Sequence, residues 1–219
     1  MKKLIFLFAS PVIFFGGLSF SSGEPPAFLY VDKNPVIKND ILSTEIVDFQ
    51  GALIRFPIII FSPLTTSFHE QISTAVLGTS SQRIVVKNNT KNQRWTLTLS
   101  ASKGSSALWK DEGKIYDWND ESGKDGNDQD IVGGKLSVDP TEMHILAKEG
   151  CSAKGISPGI PASFSEKKGV ENITIAVAGN TANSNCEWSF TNIRLSQVIP
   201  AEQSAGNYTL DMTLTITAF

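Results

Sequence analysis

The chain has 219 residues, with 19 Lys and Arg against 22 Asp and Glu and a formal net charge of −3 at pH 7. Its basic residues are scattered and form no stripe, which excludes the electrostatic footprint of a nucleic-acid binder. Hydrophobic residues make up 41% of the chain, enough to build a real core in a domain of this size.

The first segment, "MKKLIFLFASPVIFFGGLSFSSG", places Lys2 and Lys3 before an almost uncharged apolar run and ends in small residues. That order reads as a secretory signal peptide over residues 1–22, with cleavage near Ser21–Gly23. A spanning helix needs about 20 apolar residues, and this run is interrupted by Ser10, Pro11, Gly16 and Gly17. No cysteine lies at the expected cut, and no second apolar run follows. The processed chain, residues 23–219, is therefore expected to be a single exported domain with no transmembrane segment.

Beyond the leader the dominant rhythm is period two. "ALIRFPIIIF" (52–61) is apolar on both faces, and Pro57 confines it to an edge strand or a bulge. "SFHEQISTAV" (67–76) carries a weak helical pattern. Alternation then recurs in "IVVKN" (84–88), "WTLTLS" (95–100), "GKLSVD" (134–139), "ENITIAVAG" (171–179), "EWSFTNIRLSQV" (187–198) and "YTLDMTLTI" (208–216), with Gly, Asn, Asp, Ser and Pro between. Short alternating strands between turn signals predict an all-β fold, an antiparallel sandwich of Greek-key type with long loops at 103–132 and 150–168. In the strand that opens with Trp95, the ring is in phase with Leu97 and Leu99, so Trp95 is expected in the core, with Thr96, Thr98 and Ser100 outward.

Three features bear on chemistry. Cys151 and Cys186 are the only cysteines, and in an exported chain an even pair reads as a disulfide. The segment "DEGKIYDWNDESGKDGNDQDIVGG" packs Asp117, Asn119, Asp120, Glu121, Asp125, Asn127, Asp128 and Asp130 around glycines, the donor type that calcium selects. It is a candidate calcium loop and not an EF-hand. Counted from Asp117, the sixth position is Ser122 in place of Gly, and the twelfth is Asp128 in place of Glu. Trp109, Tyr116 and Trp118 beside it could form an exposed platform for carbohydrate or a partner, or could cover the end of the sandwich. His69 and His144 are far apart in sequence, no G-x-S-x-G turn occurs, and a Cys151–His144 nucleophile pair would need a free thiol, so no catalytic residue is assigned.

The last strand has Leu210, Met212, Leu214, Ile216 and Ala218 on one face and threonines on the other. Phe219 is out of phase with that apolar row, unlike the terminal aromatic of an outer-membrane barrel. Two stretches together resemble the WxL surface-domain family of bacterial cell-wall proteins. Trp95-Thr96-Leu97 follows "VVKNNTKNQR" as that family's W-x-L motif does. "IPAEQSAGNYTLDMTLTI" is similar to its closing segment, with Tyr208, Met212 and Leu214 on motif positions and Leu214 where the family usually has tryptophan. The resemblance covers about residues 64–219. It implies a secreted, extracellular protein associated with the cell wall through non-covalent contact with peptidoglycan or with other surface proteins. A pilin-like subunit of a surface assembly, using an alternating terminal strand, is the competing expectation.

Overall fold

The structure, a computed structural model, describes residues 2–8, 41–120 and 133–219. Among them, seventeen strands and one short 3₁₀ turn (Gly104–Ser106) run in chain order. The first nine strands are β1 (Lys2–Phe8), β2 (Leu42–Val47), β3 (Ile58–Phe61), β4 (Gln71–Leu77), β5 (Arg83–Asn88), β6 (Trp95–Ala101), β7 (Trp109–Asp111), β8 (Lys114–Tyr116) and β9 (Asn119–Asp120). After the acidic loop come β10 (Gly134–Asp139), β11 (His144–Ala147), β12 (Ile156–Pro158), β13 (Ala162–Ser163), β14 (Asn172–Ala178), β15 (Cys186–Thr191), β16 (Ile193–Ile199) and β17 (Thr209–Ala218).

These strands form three sheets packed as a β-sandwich. The largest runs β12-β14-β6-β17-β1-β3, with the β7–β8 hairpin joined to β17. The second runs β13-β10-β16-β4 with β9 beside β10, and the third runs β11-β15-β5-β2. The large sheet faces both of the others. Trp95 of β6 lies against Trp188 and Phe190 of β15, and Trp109 of β7 donates its indole N–H to Gln197 of β16. Every pairing is antiparallel except that of β1 with β3.

Local chemistry explains the strands. In β6 the odd residues Trp95, Leu97, Leu99 and Ala101 are buried while Thr96, Thr98 and Ser100 are half-buried, the signature of a strand with one face on the core. β10 and β15 repeat it. In β14, the register shifts between Thr174 and Ala176. The extra residue of this bulge lets Ile175 and Ala176 both be buried.

Three segments differ from the sequence reading. Residues 67–76, expected to hold a weak helical turn, enter strand β4 at Gln71, and that strand pairs with β16 over seven residues. The confusion has a cause: small Ser73 and Ala75 face inward while Ile72 and Val76 face solvent, so the hydrophobic row sits on the outside. The expected loop 103–132 begins with a turn, a hairpin and β9. The hairpin turns at Glu112-Gly113, both at positive φ, as a type I′ turn requires. The loop at 150–168 contains the short strands β12 and β13. Pro57 directly precedes β3, which lies at the end of the large sheet.

The segment read as a removable leader begins with β1, inserted between β17 and β3. Cys151 and Cys186 are bonded, tying the loop ahead of β12 to the first residue of β15 across 35 residues. Trp188 reinforces the junction by donating its indole N–H to the Ser152 carbonyl at 2.9 Å. Closing a loop of this length stabilises the fold by about 3–4 kcal/mol in the chain-entropy model. Denaturant unfolding of Cys151→Ser/Cys186→Ser against the wild type should show a loss of that size.

Candidate functional site

The two motif segments, far apart in sequence, lie side by side. Trp95 is opposite Ala218, Leu97 opposite Ile216 and Leu99 opposite Leu214 along the β6–β17 ladder. Trp95, Leu97, Met212 and Leu214 are almost fully buried. Tyr208, just ahead of β17, is buried with its hydroxyl donating to the Ser204 carbonyl at 2.8 Å and accepting from the Gln203 amide at 2.6 Å. The motif residues therefore build the core and present no ring to a ligand. Trp95 meets Trp188 at 5.7 Å and Phe190 at 6.2 Å between ring centres. Truncating it would leave a large cavity among rigid rings. Trp95→Ala is expected to cost about 3–5 kcal/mol in chemical denaturation.

The aromatics near the acidic loop do not form an exposed platform. Trp109, Tyr116 and Trp118 are all within 1% of full burial. Trp109 stacks on Tyr116 at 5.8 Å, Tyr116 meets Tyr208 edge-on at 4.9 Å, and Trp118 meets Phe164 at 4.4 Å. Their surroundings move two titrations. Burial, then the neighbouring Tyr208, pushes the Tyr116 hydroxyl well above the ordinary tyrosine range. Burial raises that of Tyr208, against a smaller opposing effect of the Gln203 hydrogen bond. Both groups favour their neutral form when folded, so their contribution to stability is intact below the unfolded tyrosine pKa of about 10 and is lost as pH rises above it. Ultraviolet titration should show both phenols ionising late, with stability falling over the same alkaline window.

The root of the acidic loop is buried and polar. Asp117 Oδ1 accepts the backbone N–H groups of Trp118 and Asn119. Asn119 donates its side-chain amide to the Ser105 carbonyl at 3.2 Å. Gln197 bridges the sheets: its oxygen accepts from Trp109, and its amide donates to the Asp117 and Val198 carbonyls. Gly134 closes the far side of the loop at φ +146°, where an added Cβ would lie 2.1 Å from the Asp117 carbonyl oxygen. Of the candidate calcium donors, Asp117, Asn119 and Asp120 stand together at this root. Asp125, Asn127, Asp128 and Asp130, with Glu121, lie outside the described residues. Among the described residues no group of three or more Asp, Glu, His or Cys side chains is placed to hold a metal ion. Cys151 is consumed by its disulfide, so the thiol that a Cys151–His144 pair would need is not free.

The surface that sequence reasoning missed is a shallow groove of about 710 Å³ on the outer side of the second sheet. Ile60, Val76, Pro161 and Ala162 give it apolar walls, and Thr74, Ser137, Ser163 and Ser196 line it with hydroxyls. Asp139 and Arg194, opposite each other in the β10–β16 register, charge one end. The Thr141 hydroxyl and backbone N–H hold the Asp139 carboxyl below the usual aspartate range, and Arg194 also pairs with Glu142. Val76 joins this groove to a second depression of about 580 Å³ lined by Phe49, His144 and Leu146. Its one sequence signal was the outward row Ile72–Thr74–Val76, concealed by the helical reading.

Comparison with protein-family models, with curated proteins and with solved structures yields no match. Among the described residues no helix is long and apolar enough to cross a membrane.

Proposed function

We propose that the protein is an exported bacterial surface protein that attaches without catalysis to cell-wall polymer, peptidoglycan above all, or to a neighbouring surface protein. The observation that carries this reading is the ladder that sets the W-x-L strand against the closing strand, Trp95 to Ala218 and Leu99 to Leu214. Two motif-like segments that resemble one family in sequence thus act as one structural unit. The disulfide supports an oxidising destination.

Attachment runs through the outer groove, since the tryptophans Trp95, Trp109, Trp118 and Trp188 are all buried. A shallow trough of hydroxyls with apolar walls and a charged end suits an extended, polar polymer better than a small enclosed ligand. Purified peptidoglycan should retain the protein, and Val76→Asp, on the exposed side of β4, should weaken retention at least about tenfold. Val76→Asp binding as well as the wild type would remove the groove from the reading, and a wild type that is not retained would overturn wall attachment.

Calcium belongs to the same proposal. Asp117, Asn119 and Asp120 would supply the root, and Asp125, Asn127, Asp128 and Asp130 the remaining donors. Calorimetry should show heat on calcium addition, and its absence at millimolar metal would remove the ion. A second reading, a subunit of a surface assembly, is favoured by the place of β1 in the large sheet.

A further inference from the structure

The large sheet contains a place for one strand that the chain fills with its own beginning. β1 pairs with β17 from Lys2 opposite Leu214 to Leu7 opposite Thr209. On its other edge it runs parallel to β3, from Ile5 opposite Ile58 to Phe8 opposite Phe61. Within this sheet β3 has no other neighbour. The two walls present buried side chains, Leu210, Met212 and Leu214 on one side and Ile59 and Phe61 on the other. Removing β1 would leave two strand edges unpaired and an apolar trough between them, a costly arrangement for buried backbone groups.

We propose that this place is a strand-acceptor slot, and that in the processed protein a second copy of the chain fills it with its N-terminal segment through the apolar run Ala27–Val31. The proposal rests on the export reading, which removes residues 1–22 and with them β1. The replacement is already written in the sequence. Leu4–Phe8 is five apolar residues behind two lysines, and Ala27–Val31 is five uncharged residues behind the dipeptide Pro25-Pro26, a sequence that disfavours helix. The run lies close to the expected new N-terminus and needs no further cut to be free.

Chain length selects a second copy over the same one. β2 starts close to the C-terminal end of β17. The Ile41 carbonyl accepts from the Asn89 N–H, Asn88 donates its side-chain amide to the Asn92 carbonyl, and the Asn92 amide reaches the Phe219 carbonyl. The strand leaves the slot at the opposite end, beside Thr209. Those ends are separated by the ten residues of β17, roughly 30 Å at 3.3 Å per residue. β1 has residues 9–40 with which to return. Ala27–Val31 in the same positions would have only residues 32–40, whose full extension roughly equals that straight-line distance and leaves nothing for passing around the sandwich. A neighbour's segment carries no such restriction. The resulting contact is head-to-tail, slot of one copy to N-terminus of the next, so it adds copies into a ring where the rotation closes and an open chain where it does not.

The test uses the exported, processed protein, with mass spectrometry defining its first residue. Light scattering after size exclusion should show multimers that grow with concentration. A synthetic peptide of residues 24–34 should dissolve them. Leu29→Asp, which alters only the donor segment, should lower the multimer fraction at least about tenfold while the variant still binds the peptide. With Ala27–Val31 in the place of Leu4–Phe8, Tyr30 falls opposite Thr209, so Tyr30→Cys/Thr209→Cys should form bonds between copies under oxidising conditions. A bond within one chain would overturn the second copy as occupant. A processed protein that stays monomeric and ignores the peptide would overturn the slot and leave the export reading standing. An exported protein that keeps residues 1–22 would overturn the removal of the leader, and the vacancy with it.

Discussion

β6 is held between β14 and β17, and its inward row, Trp95, Leu97 and Leu99, is the wall on which the rest of the sandwich is assembled. Each of these positions has a hydrogen-bonded strand on both sides, so the row has little freedom to shift. Trp95 carries the contact across the sandwich to Trp188 and Phe190. The strand that bears those two rings begins at Cys186, so the disulfide and the tryptophan cluster brace the same corner. The other half of the sandwich is fixed by a polar tie, the Trp109–Gln197 hydrogen bond, in a site with no access to water. Such a bond adds specificity because its partner would be costly to leave unsatisfied at that depth.

This arrangement constrains function. Large aromatic faces are the usual means of gripping a sugar ring, and here all four tryptophans are consumed in cohesion. The large apolar side chains left at the surface are Ile72 and Val76 on the outer side of β4 and Phe49, Phe68 and Ile160 in the connecting segments. The acidic loop is likewise anchored from below. Asp117 spends one oxygen on the backbone of its own turn, which fixes the direction in which the loop departs.

Alternation made most of the architecture legible: β6, β10, β14, β15, β16 and β17 all follow the period-two rhythm, and the cysteine pair read directly as a bridge. What escaped had physical reasons. β4 sets small Ser73 and Ala75 inside and the larger Ile72 and Val76 outside, so only Leu77 at its end gave an inward hydrophobic signal. β7, β8 and β9 are two or three residues long, too short for any period to register, so the hairpin that turns at Glu112-Gly113 read as loop. The groove is assembled from β3, β4, β10, β13 and β16 together, and no local window contains it. The insertion of β1 was hidden because its composition already had a complete explanation as a leader.

Sequence distance along the central ladder sets the order of events during folding. Thr98 and Thr215, neighbours in β6 and β17, are 117 positions apart, and β1 would meet that same last strand from the other terminus. Closing loops of this size before any contact repays the entropy makes assembly slow. A polypeptide emerging with its N-terminus first cannot complete its large sheet until residues 209–218 are free. Until β17 arrives, the inward rows of β6 and β14 lack the neighbour that completes their sheet, and their greasy side chains stand in need of shielding.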